Sequence, residues 1–452
     1  MNGILDEFAE YAEREVRGAL SDEVAHHAKR AVVDWFAALY PGTRMSPATN
    51  LVRAHARELG YGRSSLPGFD ATAFPATAAW INGAASHAAE FDDIFRDAVY
   101  HPGSPTIAAA LAVGEDEGRS GLELLKAVTV GYEISTRIGA AVQPSHYRFF
   151  HTTGTVGCFG GAAAAALLIH PFDRNTVRHA LATAATFASG LQQAFRSESM
   201  TKALHGGHAA AVGVTAAKAA SAGVTGALDI LEGEAGFGAA MSEGADWRRA
   251  TDALGRRYNI THITQKNHGC CGHTFAAIDS VVDLRRDIGE IDPQRIRSIE
   301  IETYQTAIDV TGNFAPRTAN EARFSLPYVV CHALVYGSVR LGAFAEQRLA
   351  DPSVRRLMQR VSLTADPHLS AGFPSMRAAR VRIAMDDGRS FERFSPHRKG
   401  DPEAPLTDAE LDEKFAELAA PVIGADRAAA LLGKLWRLDR LDLTDLDLAS
   451  RP

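Results

Sequence analysis

The chain has 452 residues, with 47 basic and 54 acidic side chains, a formal net charge of −7, and 46% hydrophobic against 22% charged residues. That balance is ordinary for a globular enzyme, and the length suits two or three domains. Neither sign is blocked into a tail, which argues against nucleic acid as a partner, and Cys158, Cys270, Cys271 and Cys331 are too scattered for a disulfide framework.

The first segment, "MNGILDEFAEYAEREV", places Ile4, Leu5, Phe8, Tyr11 and Ala12 at helical spacing and lacks the charged-then-apolar order of a signal peptide. Next, "EVAHHAKRAVVDWFAALYPG" puts Ala25, Ala28, Ala31, Val32, Trp35, Phe36 and Leu39 on one stripe, with Pro-Gly as a stop. Helical patterns continue to about residue 260. Two of them, "TVGCFGGAAAAALLI" and "HGGHAAAVGVTAAKAASAGVTG", carry small residues nearly all round and belong inside a bundle. The longest apolar run, Ala162 to Ile169, is far short of a membrane span. No membrane partner and a cytoplasmic location are therefore expected.

The pattern changes near residue 262. "IRSIEIETY" (296–304) alternates as a half-buried strand does, Val361 to Leu363 is a short strand, and Val381 to Met385 turns back at Asp386-Asp387-Gly388 as a hairpin. Helices are expected over Thr274 to Arg285 and Leu326 to Tyr336. After 395 the helical pattern returns, with Thr407 as a cap. The expected fold is mainly α: a large all-helical domain closed by both chain ends (1–261 and 396–452), with a smaller α+β lid domain inserted at 262–395. The crevice between such domains is the default place for a ligand.

Five stretches concentrate chemistry. "HAAEFDDIFRDAVYHPGSPT" (87–106) spaces His87, Glu90 and Asp93 one helical turn apart, and Pro102 forces His101 out of the helix. Ser104-Pro105 reads as the cap and first-turn proline of the next helix. "YRFFHTTGTVGCFGG" sets His151 before glycines that allow close approach, with Thr152 or Thr153 as a cap. "ESMTKALHGGHAAAVG" holds Lys202 at the edge of an apolar helix, and its His205 and His208 lie one turn apart, as a metal pair can. "TQKNHGCCGHTF" crowds Lys266, His268, Cys270, Cys271 and His273, with adjacent cysteines that suit neither a zinc knuckle nor an iron–sulfur cluster. "EARFSLPYVV" places Arg323, Ser325 and Tyr328 before an apolar helix. Each stretch also has a bland reading as a loop, cap or core histidine. Together they supply cations for carboxylates and histidines for proton transfer, with no metal and no cofactor.

In sequence order, "HAAEFDD", "HPGSPTIAAALA", "FHTTGTVGCFGGAAAAA", "MTKALHGGHAAAVGVTAAKAASAGVTG", "LEGEAGFG", "QKNHGCCGHT", "EARFSLPY" and "KGDPEAPLTDAELDEKF" resemble the MmgE/PrpD family over nearly the whole chain. Its members include 2-methylcitrate dehydratase, cis-aconitate decarboxylase and iminodisuccinate epimerase. The resemblance implies a helical domain plus a lid, a homodimer, and an active site between the domains that requires no metal. By the same resemblance, His101, His151, Asp93 and Lys202 are catalytic, and Lys266 is the second lysine facing substrate. Glu90, Ile94 and Cys271 fall where the decarboxylase has an aspartate, a threonine and a further histidine, which sets this chain apart from that member. His273 stands close enough in sequence to replace the missing histidine.

The expected activity is a metal-independent lyase acting on a small di- or tricarboxylate by α-proton abstraction and β-elimination, a hydro-lyase like 2-methylcitrate dehydratase. Glu90, Lys266, Cys271, His273, Arg323, Ser325 and Tyr328 are expected to bind substrate. Alternatives are an epimerase of an iminodisuccinate-like dicarboxylate, a carboxy-lyase like cis-aconitate decarboxylase, or a non-catalytic carboxylate-binding protein.

Overall fold

A computed structural model describes residues 3–195, 199–289, 291–373 and 376–449. The chain forms two compact units, Met1–Thr264 with Thr407–Pro452, and Gln265–Leu406. It is mainly α, as the periodicity predicts.

In the first unit, α1 (Asp22–Gly42) starts at Ser21, whose hydroxyl accepts from Val24 N. Its buried stripe includes Ala28, Ala31, Val32, Trp35, Phe36 and Leu39. A short hairpin of β1 (Ser64–Leu66) and β2 (Ala71–Ala73) leads into α2 (Pro75–Ala88). Then come α3 (Gly103–Asp116), α4 (Gly121–Val142), α5 (Gly157–Ile169) and α6 (Thr201–Ser221). Ser120 and Glu123 cap α4 reciprocally.

The alanine and glycine stripes let α6 pack closely on both α2 and α5. A Cβ on Gly207 would lie 2.1 Å from the Trp80 carbonyl oxygen, and one on Gly213 would lie 2.5 Å from the Gly161 carbonyl carbon. Only glycine permits backbones to approach so closely. Thr152–Ile169 is apolar enough over 18 residues to cross a membrane by composition, a longer stretch than the run at 162–169 suggests. Within this unit 94% of it is buried, so protein already covers its apolar surface.

The second unit packs α7 (Phe275–Ile288) and α8 (Leu326–Tyr336) with a four-stranded sheet of β3 (Ile296–Thr303), β4 (Val361–Ala365), β5 (Ala379–Met385) and β6 (Ser390–Ser395). Strand order is β4-β3-β5-β6, with β3–β4 parallel and the other pairs antiparallel. Alternation along β3 and β5 sends Ile299, Ile301, Val381 and Ile383 into a core with Phe275, Ile278 and Val281.

Residues 396–406, assigned to the helical domain by sequence, belong to this second unit. Arg398 and Asp401 form a buried two-bond ion pair, Lys399 N donates to Asp279, and Gln265 N donates to the Gly400 carbonyl. The chain re-enters the first unit at α9 (Asp408–Ile423), where Thr407 and Glu410 form the expected cap. On α9, Lys414 Nζ donates to Asp34 Oδ1 of α1 (2.6 Å) and to the Phe91 carbonyl (3.0 Å).

Candidate active site

α2 ends at Ala88, and Glu90 takes a left-handed φ of 60°. The helical face expected for His87, Glu90 and Asp93 therefore does not form. The chain instead crosses irregularly to α3, turning through Phe95 and Tyr100, whose backbones pair in both directions. This crossing separates the two adjacent aspartates by function.

Asp92 faces the histidines. Its Oδ2 lies 2.6 Å from His87 Nδ1 and 3.3 Å from His101 Nδ1, and accepts from Ser104 Oγ at 2.9 Å. Asp93 turns the other way. Its Oδ1 accepts from Gly103 N (2.9 Å) at the start of α3, and its Oδ2 accepts from Tyr132 OH (2.7 Å). Only the Asp93 carbonyl meets a histidine, 2.7 Å from His101 Nδ1. Of the two adjacent aspartates, it is Asp92 that presents its carboxylate to the histidines, whereas that of Asp93, expected to be catalytic, braces α3 and Tyr132. Ser104 is likewise not the cap of α3, because its hydroxyl holds Asp92 and Asp93 supplies the carboxylate at that helix start.

The histidines gather around this carboxylate. The His87 ring lies 5.0 Å from His101 and stacks on His151 at 5.5 Å between centroids. His151, at the start of the Thr152–Thr155 turn, places Nδ1 2.8 Å from His205 Nδ1 of α6. One of those nitrogens must donate and the other accept, so both rings are held in defined tautomers. Neither Thr152 nor Thr153 caps that turn. Thr153 Oγ1 instead accepts from His101 N. His208 bonds Ser189 Oγ, so His205 and His208 serve different partners and do not form a metal pair.

Lys202, in the first turn of α6, is ion-paired with Glu90. His87 and His151 are fully enclosed, whereas the His101 side chain keeps 15% exposure and Lys202 20%. These last two, with Glu90 and the half-buried His205, form the accessible edge of the cluster.

Burial, then the neighbouring His87, Lys202, His205 and His101, pushes His151 well below the ordinary histidine value. Burial likewise takes His205 down to about 4. Asp93 is pushed up to about 7, mainly by burial, with Asp34 and Asp92 adding to the effect and Tyr132 and Gly103 opposing it. The lowered pKa of His151 favours its neutral form, the form a proton acceptor needs.

Among the described residues, His87, Asp92 and His101 are close enough to hold a metal ion, with donor atoms within 4.8 Å of one another. Their hydrogen bonds give a different assignment. Both Nδ1 atoms face oxygen acceptors and carry protons there, which leaves a carboxylate-anchored pair of imidazoles.

The second unit holds the remaining expected residues. Lys266 is buried, and Cys271 N donates to the Arg323 carbonyl at 2.9 Å. Arg323 lies over the Phe344 ring at 4.8 Å. His273 Nδ1 lies 2.7 Å from Tyr304 OH, and burial, with Arg377 and Arg398 nearby, holds His273 down to about 3. Ser325 and Tyr328 are corrected from substrate ligands to structural groups. Ser325 Oγ caps α8 and donates to the Asn313 carbonyl, and the buried Tyr328 OH donates to the Ala343 carbonyl.

Family models match along both units: the MmgE/PrpD N-terminal domain over residues 6–250 and the MmgE/PrpD C-terminal domain over 268–438. The chain belongs to the MmgE/PrpD family. Among curated MmgE/PrpD relatives, cis-aconitate decarboxylase from Homo sapiens is 27% identical over 448 residues, covering 94% of this chain and 89% of the relative. The Mus musculus enzyme of that name is 27% identical, covering 96% and 89%. That of Aspergillus terreus is 25% identical, covering 98% and 95%.

Sequence reasoning reached His101, His151 and Lys202 in this MmgE/PrpD chain, and the fold brings them together. It counted none of His87, Asp92, Ser104 and His205 among the catalytic or substrate-binding residues. The adjacent aspartates were visible, but which one faces the histidines depends on the break after Ala88.

Proposed function

We propose that this protein is a lyase acting on a small di- or tricarboxylate by proton transfer through the His101–His151 cluster. The observation that carries this reading is the set of buried imidazoles anchored on Asp92, with Lys202 at the accessible edge. Lys202 would hold a substrate carboxylate and stabilise the enolate-like charge that forms when the α-proton leaves. Neutral His151 is suited to take a proton, and His101, the more exposed ring, to exchange one with substrate. Hydrogen bonds already fix the Nδ1 side of each ring, so the Nε2 side is the working one. In the second unit, Lys266, marked by the family resemblance, and Arg323, read from its own segment, are the candidates for binding a carboxylate.

Three outcomes follow from the same set of proton-transfer groups. Where an alkene lies beside it, a carboxylate placed out of plane leaves as carbon dioxide: its bonding pair becomes the shifted double bond, and a histidine delivers a proton to the α-carbon. Where the α-proton is removed instead, a β-hydroxyl is expelled and leaves as water after protonation. The decarboxylases among the relatives support the carboxy-lyase outcome. The Glu90–Lys202 pair favours the second: Glu90 can accept from a substrate hydroxyl while Lys202 holds the neighbouring carboxylate. Where neither group can leave, reprotonation from the opposite face gives epimerisation.

Incubation with 2-methylcitrate, cis-aconitate and iminodisuccinate, following carbon dioxide release and alkene absorbance, tests the lyase reading. Either signal, lost in Lys202→Ala, is the expected result. A folded protein that gives neither signal while inverting a stereocentre would be an isomerase, and the lyase reading would fall.

A further inference from the structure

Asp92 Oδ2 is crowded. Two hydrogen bonds reach this oxygen, from His87 Nδ1 at 2.6 Å and Ser104 Oγ at 2.9 Å, and His101 Nδ1 lies within ion-pair distance at 3.3 Å. A carboxylate oxygen offers about two lone-pair sites, so the two close donors leave His101 the weakest claim on it. The shortest contact belongs to His87 and the longest to His101. His101 compensates by bonding the Asp93 carbonyl at 2.7 Å.

The His87 side chain has no exposed surface, and its Nδ1 is committed to Asp92. Yet it is not a satisfied core histidine. Its Nε2 is buried with no hydrogen-bond partner among the described residues, which is unfavourable for a polar atom. An apolar side chain would fill the same space without that penalty. What His87 alone supplies is the Nδ1 proton on Asp92.

We infer that His87 is a positioning residue: by taking the closest place on Asp92, it limits how much of that carboxylate's charge reaches His101 and so sets the pH at which His101 holds a proton. This rests on the proposed role of His101 in proton transfer. Among the described residues, several other charged or titratable groups surround the pair. The crossing contributes Glu90, paired with Lys202 of α6, and Asp93, bonded to Tyr132 of α4. His151 stacks on His87, and His205 of α6 bonds His151. Asp34 of α1, neutralised by Lys414 of α9, acts on Asp92 only through space. None of these takes the His87 place on Oδ2.

The test is an NMR titration of the His101 ring in the whole protein and in three variants. His87→Leu removes the donor, and the His101 ionisation is expected to move up by about one pKa unit as Asp92 turns to it. His87→Asn offers a side-chain N–H in place of Nδ1–H and is expected to keep the original titration. Ser104→Ala removes a second, weaker competitor and is expected to give a smaller upward shift. With a turned-over substrate, the limb of the kcat profile governed by His101 should move by the same amount while KM holds. An unmoved His101 in folded His87→Leu overturns the inference. If that variant does not fold, an unmoved His101 in Ser104→Ala overturns it. The titration needs no substrate, so failure of the lyase reading would show separately, as absence of turnover across the panel.

Discussion

His151→Ala and Lys202→Ala are each expected to lower turnover by about two or more orders of magnitude with the fold intact, as for an acid–base group and a charge-stabilising group. Steady-state rates beside circular dichroism check this, and near-normal rates would remove that residue from the mechanism. Asp93 has a different expected signature. Its carboxylate joins the start of α3 to Tyr132, so Asp93→Ala strands a buried hydroxyl and a helix N–H and should cost about 1–3 kcal/mol in a denaturant melt. A variant of unchanged stability would show that the carboxylate does not brace α3. The pair Asp92-Asp93 also marks the limit of what the sequence discloses at this scale. Adjacent identical residues point to opposite sides of an irregular crossing, and no periodic rule says which side holds the histidines. Tyr328 misled for a related reason: its hydroxyl satisfies a carbonyl fifteen residues away in the chain.

At the scale of elements, periodicity served well wherever a face was buried. Leu326–Tyr336 was legible to the residue, and β3, β5 and the turn at 386–388 followed from alternation. The end of α2 was not legible, because alanine-rich sequence continues past Ala88 while Glu90 adopts a left-handed conformation that tertiary contacts impose. The glycines of α6 were read as signs of close packing, and Gly207 shows how close. Gly207→Ala would drive a methyl into the Trp80 carbonyl, so α6 and α2 must separate. A loss of about 1–3 kcal/mol or more is expected from such overpacking, together with reduced activity, since α6 carries Lys202 and His205. Thermal melts and rates would check both, and an alanine accepted without cost would contradict the packing described for these helices.

Across the whole molecule, the chain ends are tied to the site. Lys414 of α9 meets both Asp34 and the Phe91 carbonyl, one residue before Asp92. Lys414→Met leaves Asp34 buried without its cation and should cost about 3–5 kcal/mol. The buried histidines give a further signature. His146 and His205 are held down to about 4 and His273 to about 3, each chiefly by burial. Unfolding releases these rings to take up protons, so stability should decline as pH falls from about 6.5 toward 4. Asp93 has the opposite sign: raised to about 7, it favours the folded state below the ordinary carboxylate range and loses that contribution as pH rises toward 7. Melting midpoints across pH 4–8 would show the histidine decline, and a flat profile below pH 6.5 would contradict it. Family membership was legible from motif order, because motifs along both units keep their sequence order. The orientation of single side chains was not, because contacts between distant segments decide it.

The most direct measurement is proton NMR of 2-methylcitrate, cis-aconitate and iminodisuccinate incubated with the protein in deuterium oxide. Deuterium entering at the carbon next to a carboxylate, at a rate that falls sharply in His151→Ala, is the result expected of a histidine-centred proton transfer. Turnover that leaves that carbon unlabelled, or labelling that proceeds unchanged in His151→Ala, would contradict it.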